Sequence, residues 1–269
     1  ITARCSRLLY HGYGHYGRLG FKPVKPGLTL ITKGMSIMNS QPITQQPLFY
    51  LFVAASILVS LWYFWGGRRN KRIYLSAFNA LVDTLKPKDQ AFTTIGGQSG
   101  YHAKLIPQRN SFVRGVDATI TLLARHTLLY YPFSRFLRKW DRLFITLYFA
   151  KDAHGKISEA HIIEKGYENL RNVEITNKPR LKNEPVEWGG KPFTLYYENQ
   201  KMREALLQLK KKLDTPGELR HIAFVPDQEK AYVFLIPKPG ETARIFPPVW
   251  SWLNEILEKS HPSKTGKRQ

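Results

Sequence analysis

Cysteine is all but absent. Cys5 is the one cysteine in 269 residues, which excludes an intrachain disulfide framework and a cysteine-based zinc cluster. Acid is scarce too: 20 Asp and Glu stand against 41 Lys and Arg, a formal net charge of +21. No acidic residue precedes Asp83, whereas Arg4, Arg7, Arg18, Lys22, Lys25, Lys33, Arg68, Arg69, Lys71 and Arg72 all do. An excess of this size calls for a polyanionic neighbour, either nucleic acid or an anionic membrane face. The eight histidines are scattered, so no dense metal site is expected. A content of 43% hydrophobic and 13% aromatic residues is enough to bury a core and excludes wholesale disorder.

One stretch lacks charge altogether. Residues 48–65 (LFYLFVAASILVSLWYFW) are uncharged and end at Gly66 and Gly67. At about 1.5 Å per residue, such a helix just spans a hydrocarbon core of about 30 Å. Trp62, Tyr63 and Trp65 crowd one end, where amphipathic rings favour the headgroup layer. Arg68, Arg69, Lys71 and Arg72 follow at once, so the larger C-terminal part is expected on the cytosolic side and the N-terminus outside. The same four residues would rest on anionic lipid headgroups. Residues 1–47 read as an unstructured leader, with Met35 and Met38 as plausible starts.

After the span, Ile73, Ala77, Phe78, Leu81, Val82 and Leu85 recur at helical spacing up to Pro87, a juxtamembrane helix. Residues 101–125 read as two extended segments joined near Pro107. Pro132 starts a short helix with Phe133, Phe136, Leu137 and Trp140 on one face and Arg135, Arg138 and Lys139 on the other. Residues 142–151 are a strand, followed by a turn at His154 and Gly155. Residues 165–190 read as a long loop. Residues 200–213 form a helix with Met202, Ala205, Leu206, Leu209 and Leu213 inward. A hairpin (HIAFV, AYVFLI) follows, and Pro247 and Pro248 open a last helix. The mixed order implies an α+β domain over residues 66–258 with a largely antiparallel sheet and flanking helices, then a basic tail at 259–269.

No enzyme signature emerges. GGQSG (residues 96–100) lacks the Gly-Lys-Ser/Thr of a phosphate loop and the spacing of a nucleophile elbow. His154 and His161 have no third ligand at useful spacing and read as surface histidines. His126 and Asp141 offer a pairing without a nucleophile. No catalytic, cofactor-binding or metal-ligating residue is therefore assigned.

Taken in order, these elements resemble the calumin family, the single-span subunit of the PAT complex in the multipass translocon. The resemblance is carried by GGRRNKR at 66–72, SAFNALVDTLK and FTTIGG within 76–97, residues 111–152, KMREALLQLKKKL, and the hairpin HIAFV…AYVFLIP. It implies a non-enzymatic cytosolic domain beside the Sec translocon and a translating ribosome, assisting membrane-protein insertion together with a small membrane partner subunit. The membrane would be the endoplasmic reticulum or a prokaryotic plasma membrane. The acidic, calcium-associated lumenal segment of that family has no counterpart in residues 1–47, and its long charged coiled coil none before Gln269. This chain thus resembles a minimal relative.

On this reading, Arg135, Arg138, Lys139, Lys201, Arg203, Lys210, Lys211 and Lys212 meet rRNA phosphates. The alternative is a peripheral lipid-binding or enzymatic domain at the cytosolic membrane face, marked by a deep pocket where His126, Asp141 or His221 converge. A third is an organelle inner-membrane protein with residues 1–34 as transit peptide, which a native start at Met35 or Met38 would remove.

Overall fold

A computed structural model describes residues 42–108, 112–150, 157–168, 175 and 177–260. The expected leader through residue 41, the turn at His154 and Gly155, and the tail beyond Ser260 lie outside the described residues. The chain divides into two units, residues 1–49 and 50–269. Of the first, the described part is a 3-10 turn (Ile43–Gln45) and the opening of helix α1.

α1 runs unbroken over Pro47–Leu85, which corrects the expectation of two helices parted by Gly66 and Gly67. Its apolar half is long and apolar enough to cross a membrane, and none of that window is buried. Its second half buries Ile73, Ala77, Phe78, Ala80, Leu81 and Leu85. Gly66 does not end the helix but lets it approach a loop. A Cβ there would lie 2.2 Å from the Arg125 carbonyl oxygen. The glycine pair reads as punctuation in the sequence and acts as a close-packing surface.

Among the described residues, nine strands form one antiparallel sheet in the order β1-β2-β3-β4-β9-β8-β5-β7-β6. They are β1 (Asp89–Thr94), β2 (Gly100–Ile106), β3 (Val113–Thr121), β4 (Arg142–Phe149), β5 (Ala160–Glu164), β6 (Lys182–Trp188), β7 (Lys191–Tyr197), β8 (Leu219–Val225) and β9 (Lys230–Leu235). β1 to β4 form a meander, and the β8–β9 hairpin inserts between β4 and β5. Alternation on β3 and β4 sends Val116, Ala118, Ile120, Leu143, Ile145 and Leu147 into the core.

Against that face pack the second half of α1, α3 (Gln200–Lys212) and α4 (Glu241–Ser260). Asn199 caps α3, its side chain accepting from the Met202 N–H at 2.9 Å. The Trp252 Nε1–H donates to the Ala205 carbonyl at 2.7 Å and ties α4 to α3. A smaller cluster of Ile163, Leu181, Tyr196 and Phe234 packs separately from the main core.

Three further expectations are corrected. β6 lies within the expected loop at 165–190, where Pro185 is tolerated because β6 is an edge strand. α4 begins at Glu241, so Pro247 and Pro248 are interior; the carbonyls they leave without partners belong to exposed Ala243 and Arg244, within reach of water. His161 is not a surface residue but only 3% exposed.

Candidate functional site

The site is built where the apolar half of α1 ends. Trp65, Arg68, Arg69 and Arg72 recur at i, i+3, i+4 and i+7, one face of the helix. The neighbouring face carries Gly66, Asn70, Ile73 and Ala77 into the domain. Across from the Arg stripe stands α2 (Tyr131–Arg138), with Arg135 and, just past its end, Lys139 and Trp140. Residues 236–239, which follow β9, supply a third wall, and Ile73, Leu123, Arg125 and Asp141 complete the lining. The groove, half open to its surroundings, measures about 810 Å³.

Its electrostatics are one-sided. Arg68, Arg69, Arg72, Arg125, Arg135, Lys139 and Lys238 line it, with Asp141 the sole carboxylate among the described residues of the lining. Asp141 is already taken: Arg125 grips it with Nη1–Oδ1 at 2.9 Å and Nη2–Oδ2 at 2.7 Å, both side chains being over nine-tenths buried. Lys238 pairs with Glu218. The other five cations meet no carboxylate among the described residues. Two donors in the wall are also unmatched, Arg125 Nε and Trp140 Nε1.

The Arg125–Asp141 pair is the hub that fixes α1. Arg125 Nη1 donates to Asn70 Oδ1 at 3.0 Å, and Asn70 Nδ2 donates to the carbonyls of Leu123 at 3.0 Å and Gln98 at 3.1 Å. The Leu123 N–H donates to Asp141 Oδ1 at 2.8 Å. Each member bonds to another, with Arg125 Nε the one atom of the network left unmatched among the described residues, and a buried network connected in this way holds one geometry.

α2 turns its apolar side outward. Phe133, Phe136 and Leu137 are 57%, 80% and 59% exposed, and the neighbouring Leu129 is 90% exposed. Only Ser134 of this helix is buried. Tyr131, at its start, lies 6.1 Å from the Trp62 ring, so α2 sits beside the aromatic end of the uncharged stretch.

The structure separates the expected contact residues. Arg68, Arg69 and Arg72 share the groove with Arg135 and Lys139, while Lys71 lies outside it. Arg138 stands near Arg142, whose guanidinium is held below its ordinary value by burial first and by Arg138 second. Lys201, Arg203, Lys210, Lys211 and Lys212 are on α3, apart from the groove lining. There Arg203 is committed to Glu184 (2.5 and 2.8 Å) and Lys212 to Glu255 (2.5 Å).

His126, Asp141 and His221 go to three different partners. The His126 ring lies 6.0 Å from Tyr63, edge to face. His221 Nε2 lies 3.2 Å from His161 Nδ1, and His161 Nε2 lies 2.9 Å from Glu159 Oε1. Burial first, and His161 second, push His221 well below the ordinary imidazole value. Glu159 is held below the usual carboxylate value, chiefly by its bond to His161. Among the described residues no group of three or more His, Cys, Asp or Glu is arranged to hold a metal.

Sequence reasoning missed Arg125, Trp140 and Lys238 as groove residues. A signal was present for the first: Asn70 is a polar residue inside the buried stripe of α1 and therefore requires a partner across the interface. No protein-family model matches the chain, and comparison with curated proteins finds no match.

Proposed function

We propose that this chain is a single-pass membrane protein whose α+β domain lies on the cytosolic face of the bilayer and assists insertion of multispanning proteins beside the translocon and the ribosome. One observation carries the reading. Unpaired cations collect at the aromatic end of an apolar helix, next to a helix whose phenylalanines face outward. A soluble domain gains nothing from that arrangement, whereas a bilayer satisfies both parts at once: rings in the interface, guanidinium groups on phosphate. The buried Asn70–Arg125–Asp141 network then holds the domain in one orientation against the surface.

The ribosome enters through α3. Its Lys201, Lys210 and Lys211 have no carboxylate partner among the described residues and stand on a different element from the groove. A domain seated on lipid by one surface keeps this second one for rRNA phosphate. The resemblance to the calumin family supports the same role.

The test is co-sedimentation of the full chain, in lipid nanodiscs, with ribosomes over a salt series. Binding should weaken steeply with salt, and Lys201→Gln/Lys210→Gln/Lys211→Gln should reduce the log–log slope by about 0.7–0.9 per lost contact. Absent or salt-independent binding overturns the ribosome reading.

A further inference from the structure

Resting on the reading of α1 as a membrane span, we propose that the groove between α1, α2 and residues 236–239 is a binding site for the phosphate headgroup of an anionic phospholipid. Its volume of about 810 Å³ lies within the range of small-ligand sites, roughly 300–1,000 Å³. Arg68, Arg69, Arg72, Arg135 and Lys139 face it without counter-charges among the described residues. Arg125, buried and held by Asp141, has an unmatched Nε, and Trp140 an unmatched Nε1. Five cations without carboxylate partners around one groove are a binding set for a phosphate oxyanion, because charge-assisted bonds to a single phosphate would satisfy several of them together.

The lipid origin of that phosphate follows from the groove's position. Trp65 lines it and closes the uncharged run, so the groove opens at the depth of headgroups rather than of bulk solvent. The exposed Phe133, Phe136 and Leu137 of α2 provide the apolar surface that acyl chains cover and a soluble phosphate does not. Arg69 also stacks over Trp65 at 5.6 Å, which holds its charge at the rim of the apolar layer.

The full chain is incorporated into phosphatidylcholine nanodiscs with and without phosphatidylglycerol, and native mass spectrometry counts the lipids retained on release. Wild type should retain phosphatidylglycerol in preference to phosphatidylcholine. Arg69→Gln/Arg72→Gln/Lys139→Gln should cut that retention at least about tenfold, while Lys201→Gln/Lys210→Gln/Lys211→Gln, equal in lost charge, should leave it unchanged. Circular dichroism checks that both variants fold; the side chains replaced are exposed or half-buried. Equal losses in the two variants, or no preference for phosphatidylglycerol, overturn the site. Inorganic phosphate that quenches Trp65 and Trp140 fluorescence in detergent while phosphatidylglycerol does not compete also overturns it, in favour of a free-anion site. A chain that fails to enter nanodiscs overturns the span reading itself, and is distinguished from the other outcomes by that failure alone.

Discussion

Replacing Gly66 and Gly67 by alanine, one at a time, should give opposite results from adjacent positions. At Gly66 the new Cβ would lie 2.2 Å from the Arg125 oxygen, 2.3 Å from its carbonyl carbon and 2.6 Å from the His126 nitrogen. All three are backbone atoms. To reach ordinary contact at 3.4 Å, α1 and the loop must part by about 1.2 Å. That separation stretches the 3.0 Å bonds from Arg125 to Asn70 and from Asn70 to Leu123. A buried donor or acceptor left unmade costs about 1–3 kcal/mol, against a gain of about 1 kcal/mol in helix propensity. With two such bonds strained, the net loss is about 1–5 kcal/mol, or roughly 2–20 °C in melting temperature for a domain of this size. At Gly67 the Cβ meets Gln98 Oε1 at 2.7 Å, the end of a flexible side chain that swings aside. The cost there is the exposed 2.6 Å bond from Gln98 to Tyr63, and the variant should stay within about 1 kcal/mol of wild type. Thermal melts of the full chain in detergent, followed by tryptophan fluorescence, measure both. Gly66→Ala melting with Gly67→Ala would refute the close-packing role.

Two further outcomes follow from buried charge. Arg125→Met should destabilise by about 3–5 kcal/mol, because the buried Asp141 carboxyl loses its cation, while Arg125→Met/Asp141→Leu should recover much of the loss in urea denaturation; a double variant no better than the single would count against the pairing. His221 titrates below its ordinary 6.5, so the folded state stays neutral where the unfolded state takes up a proton. Stability should therefore fall as pH drops below about 6.5, by up to about 1.4 kcal/mol per pH unit. Glu159, lowered from 4.5, adds loss in the same direction as pH falls through its folded value. His221→Gln should flatten the first part of that decline in urea midpoints; an unchanged slope would show that the histidine is not its source.

Periodicity made most of the architecture readable, and failures cluster where the pattern was supplied by partners distant in sequence. β3, β4 and α3 alternate or repeat clearly, because each has one face in the core, whereas β8 and the end of β9 are buried on both faces and read as apolar runs. β1 does not: all six of its residues are exposed at the sheet edge, so no apolar face marks it. β6 is hidden by Pro185 and its charges for the same reason. The candidate site was half legible. The Arg stripe after Trp65 is a local pattern, but its meeting with α2 and residues 236–239 depends on long-range packing of α1 against residues 123–126. Arg125 and His161 are polar residues whose burial depends on partners many positions away, and local spacing carries no trace of such pairings.

The unbroken course of α1 has a mechanical consequence. Gly66 and Leu85 lie on one rigid rod about 28 Å apart, and the rod's far half is wedged into the core. Transmembrane helices lean by about 20° on average, and the angle shifts when bilayer thickness departs from helix length. A 10° change in lean would swing Leu85, and the strands it touches, through about 5 Å. Set in a bilayer, the sheet would act as the pointer of a gauge, converting the thickness of the lipid around it into the height and heading of the basic surfaces it carries.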